Sequence, residues 1–219
     1  VHAGATEPAH EKSLAYCYAQ YCVPIEGQSD VVVFGIPFIS PYNVNSILNP
    51  LLVQTLALAY FHNMYRNMPV VKKNGVMILT HPLYDEFDPL HHPSYIEFFH
   101  RILPETRDAL ELERRYEAEF AHNPEYQRMY RHGNAYHGVH PFYMWYWGEN
   151  GRQHVGKVIA VGAEDRKVAQ ILGWDVAADM NEAIEMAQSY LGRRPSITLM
   201  HIPPINMADV HGHGTPESV

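Results

Sequence analysis

Cysteine is scarce: the 219 residues hold two, Cys17 and Cys22. Five apart on one predicted helix, they have poor geometry for a disulfide and no zinc spacing, so both read as buried thiols. Apolar runs are short; none approaches the roughly 20 residues needed to span a bilayer. The N-terminus lacks the basic and apolar zones of a signal peptide. A cytoplasmic location with no membrane partner is the resulting expectation. Positive charge is thin as well: 16 Lys and Arg stand against 24 Asp and Glu, a net charge of −8. The densest basic spots, Lys72-Lys73, Arg114-Arg115 and Arg193-Arg194, are mere pairs. That balance argues against a nucleic-acid surface, which needs clustered cations for phosphate. There is no GxGxxG, no P-loop lysine motif and no GxSxG elbow, which removes a standard dinucleotide site, a nucleotide-triphosphate site and a serine-hydrolase centre.

What is present begins with 47% hydrophobic and 18% charged residues, an ordinary globular balance. The run DVVVFG starting at Asp30 is continuous, β-branched and closed by Gly35, the pattern of a strand buried on both faces. A loop, IPFISPYNVN, follows, and then the apolar LLVQTLALAYF predicts a helix over 46–67, with Asn45 or Ser46 placed to cap it. VMIL at 76–79 predicts a second strand after a turn at 72–75, and KVIAVG at 157–162 a third. Two further strand and helix units follow through 196–202, and a helix over 7–21, capped by Thr6, precedes the first strand. Strands alternating with helices predict an α/β three-layer sandwich with a mostly parallel, Rossmann-like sheet. Residues 104–154 read as a helical and aromatic insertion between the second and third strands, and 203–219 as a tail. One domain, 1–219, is expected. The start at Val1, with no initiating Met, suggests a piece of a longer two-domain protein.

Ligands of open α/β sheets bind beyond the carboxyl ends of the strands, so the residues there are the first candidates. After the first strand these are Ser40, Tyr42, Asn43 and Asn45, which serve equally as caps and local turns. After the second come His81, Asp85, Asp88, His91 and His92 within twelve residues. His81, His91 and His92 are the candidate metal ligands, although the spacing matches no closed metal motif and the same residues could brace the turn before Pro93. A third group, His137, His140, Trp145 and Trp147, belongs to a nearly chargeless aromatic run that is either core or pocket wall.

Three stretches, YCVPIEGQSDVVVFG with the VHAG before it, IPFISPYNVNSILNP, and KVIAVGAEDRKVAQILGWDVAADMNEAIEMAQSYLG, resemble the C-terminal domain of the nickel-dependent lactate racemase family. The resemblance implies a domain closing over a cleft against an N-terminal domain of the same protein. It implies a nickel pincer nucleotide held mainly by that other domain, together with the catalytic histidines, so no catalytic residue is expected here. The substrate- and cofactor-contacting residues it implies are Ser40, Tyr42, Asn43, Asn45 and His81, with Trp145 or Trp147 as the matching tryptophan. Where family members often carry Lys or Gln, this loop has Ser40, Tyr42 and Asn43. The expected ligand is a small hydroxy acid, and an oligomer is compatible with the reading. The competing reading is a non-catalytic module binding a small anion, or a metal through the strand-end histidines.

Overall fold

The computed structural model describes residues 1–43, 46–201 and 206–212. The chain opens with helix α1 (Thr6–Tyr21), whose cap position is Ala5 and not Thr6; none of its residues is fully buried. Strand β1 (Cys22–Glu26) follows at once, then β2 (Ser29–Gly35). Helix α2 (Pro50–Gln54) runs on through a π-helical stretch, Thr55–Tyr60, and a 3-10 turn, Phe61–Asn63. It starts later than the sequence suggests: Asn49 Oδ1 accepts the Leu52 N–H at 3.1 Å, and Pro50 occupies the first turn, where its missing donor costs nothing. Next come β3 (Tyr65–Arg66), β4 (Val71–Thr80) and α3 (Pro93–Glu97) with its π-helical continuation Phe98–Ile102.

The predicted insertion lies between β4 and β5. It comprises α4 (Ala109–Leu112), continuous through Glu113–Glu117 with α5 (Ala118–His122), then α6 (Pro124–His132), α7 (His140–Trp147) and α8 (Glu149–His154). The chain closes with β5 (Lys157–Val161), α9 (Arg166–Leu172), β6 (Asp175–Ala177), α10 (Met180–Leu191), β7 (Ile197–Leu199) and β8 (Met207–His211).

The main sheet has the order β6-β5-β4-β2-β7, and every recorded pairing in it is parallel. The alternation of β2 divides the core. Val32 and Phe34 face the layer of α2, α3, α7 and α9, while Val31 and Val33 face α10. The chain steps across the sheet in one direction from β2 to β6, then reverses to reach β7 on the far side of β2. A right-handed crossover in the reversed direction must pass over the opposite face, which is where α10 lies. The result is the expected three-layer, Rossmann-like sandwich.

Two features differ from the sequence reading. Residues 72–75 are no turn before the strand but a bulge within β4: Ser29 pairs with Val71 while Val31 pairs with Val76. Gly75 is required there, since a Cβ would sit 2.7 Å from the Asp30 carbonyl oxygen. A second, small parallel sheet of order β1-β8-β3 also exists, and its strands were not foreseen. Pro24 sits on its edge strand, where a missing N–H is tolerated. Part of the tail is therefore ordered as β8, tied back beside β1. Among the described residues no helix is long and apolar enough to cross a membrane.

Candidate functional site

The carboxyl ends of β2, β4 and β5 lie side by side, because Gly35 pairs with Thr80 and Thr80 with Val161. The turns leaving these strands part around a cleft of about 370 Å³ lined by Gly35, Ile36, Phe38, Thr80, His81, Pro82, Val161 and Gly162. The turns after β2 and β4 share a rim: the Phe38 and His81 rings lie 5.0 Å apart. Gly162 adopts φ +86° with open space where a Cβ would go, so the β5 turn leaves the cleft unfilled.

His81 is the most constrained polar group of this rim. Its residue is 3% exposed, and its backbone N–H is donated to the Val161 carbonyl at 3.2 Å. Its Nδ1 accepts the Leu83 N–H at 2.9 Å. A backbone N–H can only donate, so the ring proton of the neutral imidazole sits on Nε2, which has no partner among the described residues. Burial lowers its pKa from 6.5 to about 4, so the ring is uncharged near neutrality.

This tautomer also decides the metal question for His81, because one nitrogen's lone pair is engaged and the other nitrogen carries the proton. The other expected ligands turn elsewhere. His92 Nε2 meets the Tyr42 carbonyl at 2.8 Å, and His91 Nδ1 lies 3.3 Å from Asp88. Asp88 Oδ1 accepts the Leu90 and His91 N–H groups, a local turn, and Asp85 pairs with His100 at 3.1 Å. The proposed trio His81, His91 and His92 therefore does not assemble, and among the described residues no three His, Cys, Asp or Glu side chains could hold a metal ion. Among the described residues no lysine lines the cleft.

The loop after β2 is spent on itself. Asn43 Oδ1 accepts the Ser40 N–H at 2.6 Å and the Ser40 hydroxyl at 2.8 Å, while its Nδ2 donates to the Phe38 and Ser46 carbonyls. Ser40 and Asn43, expected to contact ligand, instead hold the turn that presents Phe38. Asn45 lies outside the described residues. Tyr42 turns away from the cleft. Its hydroxyl lies 3.0 Å from that of Tyr60, its ring packs on Tyr136 and His140, and burial followed by Tyr60 pushes its pKa up to about 12.

The tryptophans separate. Trp145 is fully buried, with its indole N–H donated to the Arg107 carbonyl at 3.0 Å, and belongs to the core. Trp147 is half-exposed and leans on Tyr60 at 5.1 Å, on the Tyr42 side of the loop. Neither lines the strand-end cleft. His140 Nδ1 shares a hydrogen bond with the Tyr95 hydroxyl, and the ring stacks on Tyr136 at 4.4 Å.

Sequence reasoning missed Phe38, Thr80 and Gly162 as cleft residues. Their position directly after apolar runs was the available signal. It also missed the opposite edge, where Asp30, 2% exposed, gathers Arg193, Lys72 at 2.9 Å, and the Ser196 N–H and hydroxyl, each at 2.8 Å. The lone carboxylate directly before VVVF was the sign of it.

No protein-family model matches the sequence, and no curated protein matches it. Among solved structures the chain is similar to the lactate racemase apoprotein from Thermoanaerobacterium thermosaccharolyticum, at 16% identity and a TM-score of 0.49, over 95% of this chain. The chain spans 41% of the length of that protein.

Proposed function

We propose that this chain is the ligand-facing α/β domain of a lactate-racemase-like 2-hydroxy acid racemase or epimerase, acting against an N-terminal domain of the same protein. The observation that carries the reading is the shared rim: the turns leaving β2, β4 and β5 open around one cleft, with a buried, unpaired imidazole donor in its wall. The resemblance in the three quoted sequence stretches supplies the chemical class. A nickel pincer nucleotide, when bound to such an enzyme, supplies the acceptor for the group leaving the hydroxyl-bearing carbon.

In this reading the cofactor and the transfer belong to the other domain. This chain contributes binding, orientation and exclusion of water. His81 and Thr80 are its neutral donors in the cleft, and Phe38 is the apolar cover. The self-bonded loop around Asn43 keeps that cover in place.

The test is the protein with its natural upstream sequence, loaded with cofactor and given a single enantiomer of lactate and of related 2-hydroxy acids. The expected result is loss of optical purity with at least one of them, and none with the 219-residue chain alone. A natural precursor without an upstream cofactor domain, or a loaded protein inert towards the whole panel, overturns the reading.

A further inference from the structure

The geometry points to His81 as a specificity-determining positioning residue: its Nε2–H donates a hydrogen bond to an oxygen of a small monocarboxylate bound beneath Phe38. This deepens the isomerase reading and rests on the same cleft.

The first support is strain. Leu83 is fully buried and holds φ +51°, a left-handed conformation rarely adopted by a large side chain. The N–H of this same residue is the donor to His81 Nδ1, two residues earlier. Backbone strain persists where the surroundings over-determine it, and the strained residue here is the one whose N–H selects a single imidazole tautomer.

The second support is the unpaired donor. A buried N–H without a partner is costly to leave unmade, and among the described residues nothing accepts from Nε2. His81 lines the cleft, and Phe38, 60% exposed, packs its ring on the imidazole at 5.0 Å. A ligand oxygen reaching the in-plane Nε2–H from the cleft would satisfy the donor while Phe38, packed on the ring, limits the access of water.

The third is the lining itself. Its side chains are uncharged, the polar ones being those of Thr80 and His81. A single carboxylate, or the hydroxyl beside it, can be met by neutral donors. A phosphate or second carboxylate would be desolvated there without a cation, on a chain of net charge −8. The cleft therefore selects against phosphorylated and dicarboxylic hydroxy acids.

Long-range 15N–1H NMR of the histidine rings of the full chain tests this, with the His81 signal assigned by its loss in His81→Gln. At pH 7 the expected His81 signature is a neutral ring protonated on Nε2. Sodium lactate should move it saturably, while malate and glycerol 3-phosphate at equal concentration leave it in place. In Phe38→Ala, an exposed substitution, the Nε2–H should exchange faster with water. A charged ring or a proton on Nδ1 overturns the proposal, even where His81→Gln folds poorly. An unmoved Nε2 alongside lactate-induced shifts of the Thr80 and Gly162 amides overturns the role of His81 but leaves the cleft reading standing. No shift at any of these positions removes the cleft reading too.

Discussion

Replacing Asp30 by Asn tests the polar cluster that anchors the amino end of β2. Asp30 begins the buried run of β2 and receives Arg193 through two nitrogens, Lys72, and both donors of Ser196. It thereby joins β2 to the bulge of β4 and to the segment entering β7 at the amino edge, opposite the cleft. Charge-assisted bonds contribute about 1.5–3 kcal/mol each, but the Lys72 and Arg193 side chains are 45% and 54% exposed and can turn to water. The net loss for Asp30→Asn should therefore be about 2–4 kcal/mol.

With a urea slope of about 3 kcal/mol per molar, the midpoint should fall by about 1 M, followed by fluorescence of the buried Trp145 and Trp174. The effect has a pH signature. Arg193, then Lys72 and Ser196 against the opposing cost of burial, holds the Asp30 carboxyl well below the usual carboxylate range. A depressed folded-state value contributes stability above the unfolded value, about 4, and that stability is lost as pH falls below it. The gap between wild type and Asp30→Asn should narrow below about pH 4. A variant within about 0.5 kcal/mol of wild type at pH 7, a shift typical of surface changes, refutes the reasoning; so does a gap that stays constant down to pH 2.

Two other outcomes follow from the same structure. Asn43→Ala removes four hydrogen bonds within the β2 loop and should cost about 2–3 kcal/mol by urea unfolding, with faster amide exchange between Phe38 and Ser46. His62, His81 and His140 are each lowered to about 4, burial being the largest cause in all three. The unfolded chain therefore binds more protons than the native one between pH 6.5 and 4. Stability should fall through that window, by up to about 3 kcal/mol per ring. His62→Leu, which removes two ring nitrogens without a partner among the described residues, should be near neutral at pH 7 and should flatten this pH slope measurably.

The main sheet was legible because its central strands are continuous apolar runs: Val31 to Phe34, Val76 to Leu79 and the KVIAVG segment all fell in strands. The small sheet was not. β1 and β8 are partly exposed and lack a buried run, and β3 has two residues, so tertiary pairing decides them and local pattern does not. The place of the cleft was readable from the rule of strand ends, while the side chains that line it were not. Ser40 and Asn43 have the composition of a binding loop but bond to each other, a competition that sequence cannot resolve. Trp145 and Trp147 are adjacent in type and two apart in sequence, yet helix α7 sends one into the core and the other outward. The positive φ of Leu83, whose N–H selects the His81 tautomer, belongs to a residue type that gives no warning of it.

The account stands most directly on where a 2-hydroxy acid sits. A crystal structure of the protein with its natural upstream sequence, grown with lactate, should place the carboxylate or hydroxyl oxygen within hydrogen-bond reach of His81 Nε2, between the β2 and β4 turns. Lactate bound elsewhere, with the space between Phe38, Thr80 and Gly162 closed by the protein's own side chains, would contradict it.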